Sequence, residues 1–241
     1  MIFLSILLAA MTSEQALVTL LNSPTSTSPR LYAEAELIVL REAKEGKVLQ
    51  QFVIGVTTKD KALAETYLDR SRARIEALAK KTNNSLAWYL VSLDKNDMTA
   101  LKKAAEGGNV QALNAYGTLL VQAATSAREG ASTNVQMKAV RRGYDCFRQA
   151  ATKGDPNGFV NLGTCYLRGL GCPPNPVLAH ECFMSAARAG HPEGMDYVAA
   201  DYQLGVGVEK NERLSLVWTM KARAYRGDKA AAAWLRTGKR E

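Results

Sequence analysis

Serine, lysine, cysteine and histidine are the residues of this chain whose chemistry could go beyond simple binding. Ser92-Leu93-Asp94-Lys95 has the S-x-x-K spacing that sets a lysine amine one helical turn from a serine hydroxyl, as penicillin-recognising serine enzymes do. With 12 serines and 15 lysines in 241 residues, chance alone supplies about 0.7 such tetrapeptides. Neither S-D-N nor K-T-G accompanies it, and no G-x-S-x-G elbow occurs. Gly169-x-Gly171 and Gly205-x-Gly207 lack the strand-then-helix context and third glycine of a phosphate loop, so they read as turns. Cys146, Cys165, Cys172 and Cys182 permit three complete pairings but contain no C-x-x-C. His180 and His191 are the only histidines, too few for a histidine-rich metal site, and His191 reads better as a helix cap. The sequence therefore assigns no catalytic residue, no metal and no cofactor.

The elements that would position these residues are helical. Apolar residues make up 47% of the chain but aromatics only 7%, and alanine dominates, a composition suited to closely packed helices rather than a sandwich or barrel. No apolar run reaches the length of about 20 residues that spans a bilayer, so no transmembrane segment is expected. Net charge is +8, yet Lys and Arg are scattered among acids and are not interleaved with aromatics. No nucleic-acid partner is expected, although a basic nucleic-acid accessory protein stays as one alternative. Residues 1–11, MIFLSILLAAM, read either as a signal peptide lacking a positive start or as sequence ahead of a true start at Met11; an intracellular location is favoured over export. Thr12-Ser13-Glu14-Gln15 is a capping box that opens a helix through about Leu21.

Self-similarity organises the rest. Ala150-Ala151-Thr152-Lys153-Gly154-Asp155-Pro156 matches Ala186-Ala187-Arg188-Ala189-Gly190-His191-Pro192, with looser copies at Ala104–Asn109 and Ala224–Asp228. Gly108, Gly154, Gly190 and Gly227 lie 46, 36 and 37 residues apart, a period near 36 with one insertion at Thr125–Val135. In the two close copies a glycine ends one helix, the next residue caps the following one, and proline, Pro156 or Pro192, occupies the first helical position. Leu162-Gly163-x-x-Tyr166-x-x-Gly169-x-Gly171 is followed one repeat later by Tyr202-x-x-Gly205-x-Gly207, and Asn175 and Asn211 cap the second helix of each hairpin. Phe147, Phe183 and Trp218 precede small residues on those second helices, where they would fill the seam between hairpins. Cys146 and Cys182 recur beside them and read as small buried positions.

This pattern resembles the Sel-one-like repeat family, a branch of the tetratricopeptide-like α/α solenoids. The resemblance is clear over residues 108–238 and strongest over Pro156–Ala187 and Pro192–Ala224. The copy at Tyr116-Gly117-Thr118-Leu119 departs from it by lacking the paired glycines. The chain thus divides into residues 1–11, a helical N-terminal region of eroded repeats at 12–82, and a repeat array at 83–241. Within the eroded part Asn83 stands for the capping glycine, Gly46 and Gly55 mirror Gly154 and Gly163, and a helix opening at Thr57-x-x-Asp60 runs to about Lys81. Leu31–Glu45 reads as a further helix and Ser23–Pro29 as a loop. Ser92 falls at the close-packing position of Gly163.

The expected fold is all-α, an α/α solenoid of antiparallel helical hairpins stacked into a right-handed superhelix with a helical N-terminal segment. The resemblance implies a non-enzymatic scaffold or adaptor that holds a partner protein or peptide on a concave face lined by the first helix of each hairpin. Gln111, Asn114 and Thr118, then Asn157, Thr164 and Arg168, then Glu193, Asp196 and Gln203 are the candidate partner-binding residues there. Secreted relatives linked to β-lactams make an exported envelope protein, binding cell-wall components or with weak β-lactamase-like activity, the other alternative. Export would also permit Cys165 and Cys172 to staple the glycine loop.

Overall fold

The computed structural model of the chain describes residues 13–21, 39, 42, 43, 47–126 and 133–237. Among these, helices account for all regular structure and no strand occurs. In chain order they are α1 (Ser13–Leu21), α2 (Val48–Thr57), α3 (Lys61–Thr82), α4 (Ser85–Lys95), α5 (Met98–Glu106), α6 (Val110–Thr125), α7 (Thr133–Thr152), α8 (Pro156–Arg168), α9 (Pro176–Arg188), α10 (Pro192–Leu204), α11 (Glu212–Tyr225) and α12 (Lys229–Thr237). The chain divides into two compact units, Met1–Ala112 and Leu113–Glu241. Residues 1–11, the Ser23–Pro29 loop and most of the Leu31–Glu45 helix lie outside the described residues.

In the second unit the helices pair as hairpins α8–α9 and α10–α11, and α7 packs on α8 as α9 packs on α10. Helix boundaries follow the punctuation of the sequence. The Asp155 carboxylate accepts from the Gly158 amide at 2.7 Å, Asn175 from Leu178 at 3.1 Å and Asn211 from Leu214 at 2.9 Å. The amides of Asp155, His191 and Asp228 donate back to the carbonyls of Ala150, Ala186 and Arg223, satisfying groups that a helix end leaves open.

Glycines set the distances between helices. A Cβ on Gly163 would stand 2.6 Å from Phe183 Cε1, and one on Gly117 would stand 2.7 Å from Phe147 Cε1. The ring therefore lies directly on the backbone of the first helix, and Phe183 is fully buried. Between hairpins a Cβ on Gly158 would meet Ala150 and Ala151, and one on Gly194 would meet Ala186 and Ala187, the same contact one repeat on. The second glycine of each loop is held more tightly than the first. Gly171, at φ +75, rests on the Val140 carbonyl, 2.9 Å from where its Cβ would be; Gly207, at φ +68, rests on the Pro176 carbonyl, which a Cβ would overlap. Val140 and Pro176 are again 36 residues apart. Two buried clusters fill the seams: Tyr144, Phe147, Ala151, Leu162 and Cys165 in one, Phe183, Ala187, Met195, Val198 and Ala222 in the next. Phe183 stacks on Tyr197 with ring centres 4.3 Å apart.

Trp218 packs against the Phe183 cluster, as expected of the seam, but not in the register of Phe183. Counting from the capping asparagines Asn175 and Asn211, it falls at the position of Cys182, and it is half-buried with the Lys221 ammonium 3.9 Å from its ring centre. Cys146 and Cys182 are half-buried, whereas Cys165 is the cysteine sealed in the core at 1% exposure.

The first unit holds the eroded repeats as hairpins α2–α3 and α4–α5. Asn83 ends α3 in the left-handed conformation (φ 50), the role glycine plays elsewhere. A Cβ on Gly55 would lie 2.7 Å from Leu68 Cγ, so Gly55 repeats the Gly163 contact with leucine in place of phenylalanine.

A methyl group at Gly163 has nowhere to go while Phe183 keeps its rotamer. Gly163→Ala is expected to destabilise the protein by about 1–3 kcal/mol. Combined with Phe183→Leu, it should destabilise by at least about 0.5 kcal/mol less than the two single changes summed, measured by urea unfolding. Strict additivity would contradict the contact.

Candidate functional site

Hydrogen bonds run from the first helix of one hairpin to the start of the next hairpin's first helix. Asn114 of α6 donates through Nδ2 to Asp155 Oδ2 at 2.7 Å, and its Oδ1 accepts from Asn161 Nδ2 of α8 at 3.3 Å. Asp155 Oδ2 is also the oxygen that caps α8. One repeat later Asn157 Oδ1 lies 3.1 Å from His191 Nε2, while His191 Nδ1 faces the Gly194 amide at 3.4 Å as the cap of α10. The Gly194 amide can only donate, so Nδ1 accepts and the proton sits on Nε2, bonded to Asn157. At the third junction Asp196 of α10 pairs with Arg226, whose Nη1 donates to Oδ1 at 3.2 Å. Arg226 lies two residues before Asp228, the cap of α12.

Of the candidate partner-binding residues, Asn114, Asn157 and Asp196 are thus joined to these junctions. Thr164 is half-buried and its hydroxyl donates to the Val160 carbonyl of its own helix at 3.0 Å. Thr118 is half-buried. Arg168, Glu193 and Gln203 are exposed on α8 and α10. Gln111 is half-buried in the first turn of α6 and belongs to the first unit. The sequence reading marked Asn114, Asn157 and Asp196 but not their partners Asp155, Asn161, His191 and Arg226. The cap motifs had located two of these, without showing that a cap can serve a neighbouring helix as well as its own.

A second polar contact was not foreseen. His180 Nδ1 of α9 lies 2.9 Å from Asp201 Oδ2 of α10, with only 12% and 6% of the side chains exposed, and Tyr202 sets its ring edge-on to the imidazole at 5.3 Å. Burial pushes the Asp201 carboxyl above the usual carboxylate range, against the opposing pull of the His180 bond. Neither residue stands at a motif, so only the three-dimensional pairing reveals them.

The S-x-x-K pair does not form a serine–lysine dyad. Ser92 is buried and its hydroxyl donates to the Tyr89 carbonyl at 2.6 Å, as a close-packed helical serine does. Lys95 turns to Glu76, which raises its proton affinity, the opposite of what a general base needs. All four cysteines are free thiols; burial pushes Cys165 up to about 12 and Cys182 up to about 11, far from a reactive thiolate. No group of three or more His, Cys, Asp or Glu among the described residues could hold a metal ion, and no described helix is long and apolar enough to cross a membrane.

Stacked hairpins joined by close-approach glycines and cap-to-helix hydrogen bonds define an α/α helical repeat protein. The family model of the Sel1 repeat matches residues 138–155, 160–191 and 192–222, within the stretch from α7 to α11. A solved Sel1 repeat protein from Oxalobacter formigenes is similar at 25% identity over 53% of this chain and 90% of that one, with a TM-score of 0.45. A protective antigen present in uropathogenic Escherichia coli strains, displaying an SLR fold, is similar at 18% identity and a TM-score of 0.55. That match covers 86% of this chain and 47% of the antigen, so the chain spans about half its length. No curated protein matches in sequence. Sel1 repeat proteins generally mediate protein–protein interaction and are typically non-catalytic scaffolds.

Burial, with a smaller push from Arg226, holds the His191 imidazole below its usual range despite the carboxylates of Glu193 and Asp155. Below about pH 6.5 the unfolded chain therefore takes up a proton that the folded chain resists, and stability falls on the acid side. His191→Asp supplies a capping oxygen, as Asp155 does, without titrating in this window. The urea midpoint of the wild type is expected to fall from about pH 7.5 to about pH 5.5 more steeply than that of the variant. Equal falls would contradict the neutral-histidine cap.

Proposed function

We propose that the repeat array of residues 83–241 is a non-catalytic scaffold that binds a partner protein or peptide across the first helices of its hairpins. The observation that carries this reading is the division of labour on those helices. Asn114 and Asn157 are tied into the repeat junctions, which fixes the spacing of successive helices, while Arg168, Glu193 and Gln203 stay exposed beside them. A surface held rigid beneath and polar above loses little entropy when it orders a bound segment. The general role of Sel1 repeats supports the same reading. Thr118 and Thr164 would line the face, and Asp196 would contribute through whatever the Arg226 pair leaves accessible.

Purification of interacting proteins on immobilised wild type and on Arg168→Glu/Gln203→Ala, quantified by mass spectrometry, tests this. At least about ten-fold lower recovery of the specific partner on the variant is expected, with unchanged helical circular dichroism. Equal recovery would remove these helices as the binding face.

A further inference from the structure

Gly117 beneath Phe147 and Gly163 beneath Phe183 put α6 and α8 in one register, and the caps Asp155 and His191 do the same for α8 and α10. Positions 46 and then 36 residues apart are therefore equivalent on these three first helices. Much of their outward face is taken up by the stack itself. Asn114 and Asp196 are bonded across the junctions, Asn161 donates to Asn114, and Tyr197 lies on Phe183. The Thr164 hydroxyl donates within its own helix.

The position near the end of each helix differs. Gln122, Arg168 and Leu204 are equivalent on α6, α8 and α10, and all three are exposed, Leu204 at 71%. Among the described residues, neither the Gln122 amide nor the Arg168 guanidinium has a hydrogen-bond or ion-pair partner. Arg168 and Leu204 are the last residues of their helices, and the left-handed glycines that follow, Gly169 and Gly205, hold both ends alike. The array thus presents an amide, a cation and a leucine in a row, one per repeat.

Adjacent packed helices are about 10 Å apart and an extended chain rises about 3.3 Å per residue, so each step of the row matches three residues of an extended segment crossing the helices. A single cation in the row matches one carboxylate, whereas a phosphate backbone calls for a succession of cations. The leucine beside it gains by covering with an apolar side chain. We infer that this row recognises an extended segment of a partner protein with an acidic residue on Arg168, an apolar residue three positions along on Leu204, and a polar residue three positions the other way on Gln122. The inference rests on the first-helix reading proposed above and adds to it the chemistry of the bound segment.

A short fluorescein-labelled peptide with asparagine, glutamate and leucine separated by pairs of serines, made in both chain directions, is titrated with the full chain and followed by anisotropy. Saturable binding in one direction is expected, weakened at least about ten-fold by Arg168→Glu and at least about three-fold by Leu204→Gln. Removing one serine between glutamate and leucine should also weaken it at least about three-fold. A peptide with lysine in place of glutamate should prefer Arg168→Glu to the wild type, a rescue that misfolding could not produce. Absence of saturable binding in both directions, insensitivity to either variant or to the gap, failure of the rescue, or tighter binding of a single-stranded oligonucleotide would each overturn the inference. If Arg168→Glu/Gln203→Ala loses its specific partner while this peptide fails to bind, the first-helix face stands and the row is wrong; if partner recovery is also unchanged, the face falls with it.

Discussion

A backbone pressed against a backbone is the constraint from which the rest of the repeat unit follows. Where Gly171 meets the Val140 carbonyl and Gly207 meets that of Pro176, no side chain fits between the loop and the helix of the preceding hairpin. The contact also needs a positive φ, so two independent requirements select glycine at one position. Because the loop rests on the second helix of the previous hairpin, it fixes the register of each hairpin against the last. Gly163 under Phe183 and Gly158 under Ala150 then set the distances within and between hairpins, and the aromatic seams fill what those distances leave.

The polar chemistry is subordinate to that register. Asn114 reaches Asp155, and Asn157 reaches His191, because successive first helices are brought to a repeating separation at which a short amide spans from one to the next cap. A capping residue that already accepts from its own helix can still meet a neighbour's amide, so one side chain ends a helix and joins two repeats. The His180–Asp201 pair ties α9 to α10 in the same unit, at a junction where the sequence shows no motif. What remains exposed, Arg168, Glu193 and Gln203, takes no part in these junction hydrogen bonds.

Most of the fold was legible in the sequence because its constraints are local. Gly-Asp-Pro and Gly-His-Pro stop one helix and start another through the geometry of three adjacent residues, and the observed ends at Thr152, Pro156, Arg188 and Pro192 follow them. Asn83 was readable for the same reason, since asparagine is the residue besides glycine that adopts the left-handed conformation cheaply. Trp218 was misplaced by one position because it stands seven residues after its capping asparagine where Phe183 stands eight after its own; the capping asparagines, not the aromatic, keep the register. Cys146 and Cys182 recurred as expected yet are half-buried, since recurrence marks an equivalent position without revealing its depth. The polar face was legible as residue types but not as partnerships. Asn114 and Asp155 are 41 residues apart, and no local rule joins them.

Hydrogen exchange across α9 and α10 in Gly207→Ala tests the dependence of neighbouring hairpins on this backbone contact most directly. If the contact sets the register, the added methyl group must displace the loop from Pro176, and amide protection should fall by similar factors along both helices. Loss of protection confined to residues 205–211, with α9 and α10 exchanging as in the wild type, would contradict the account.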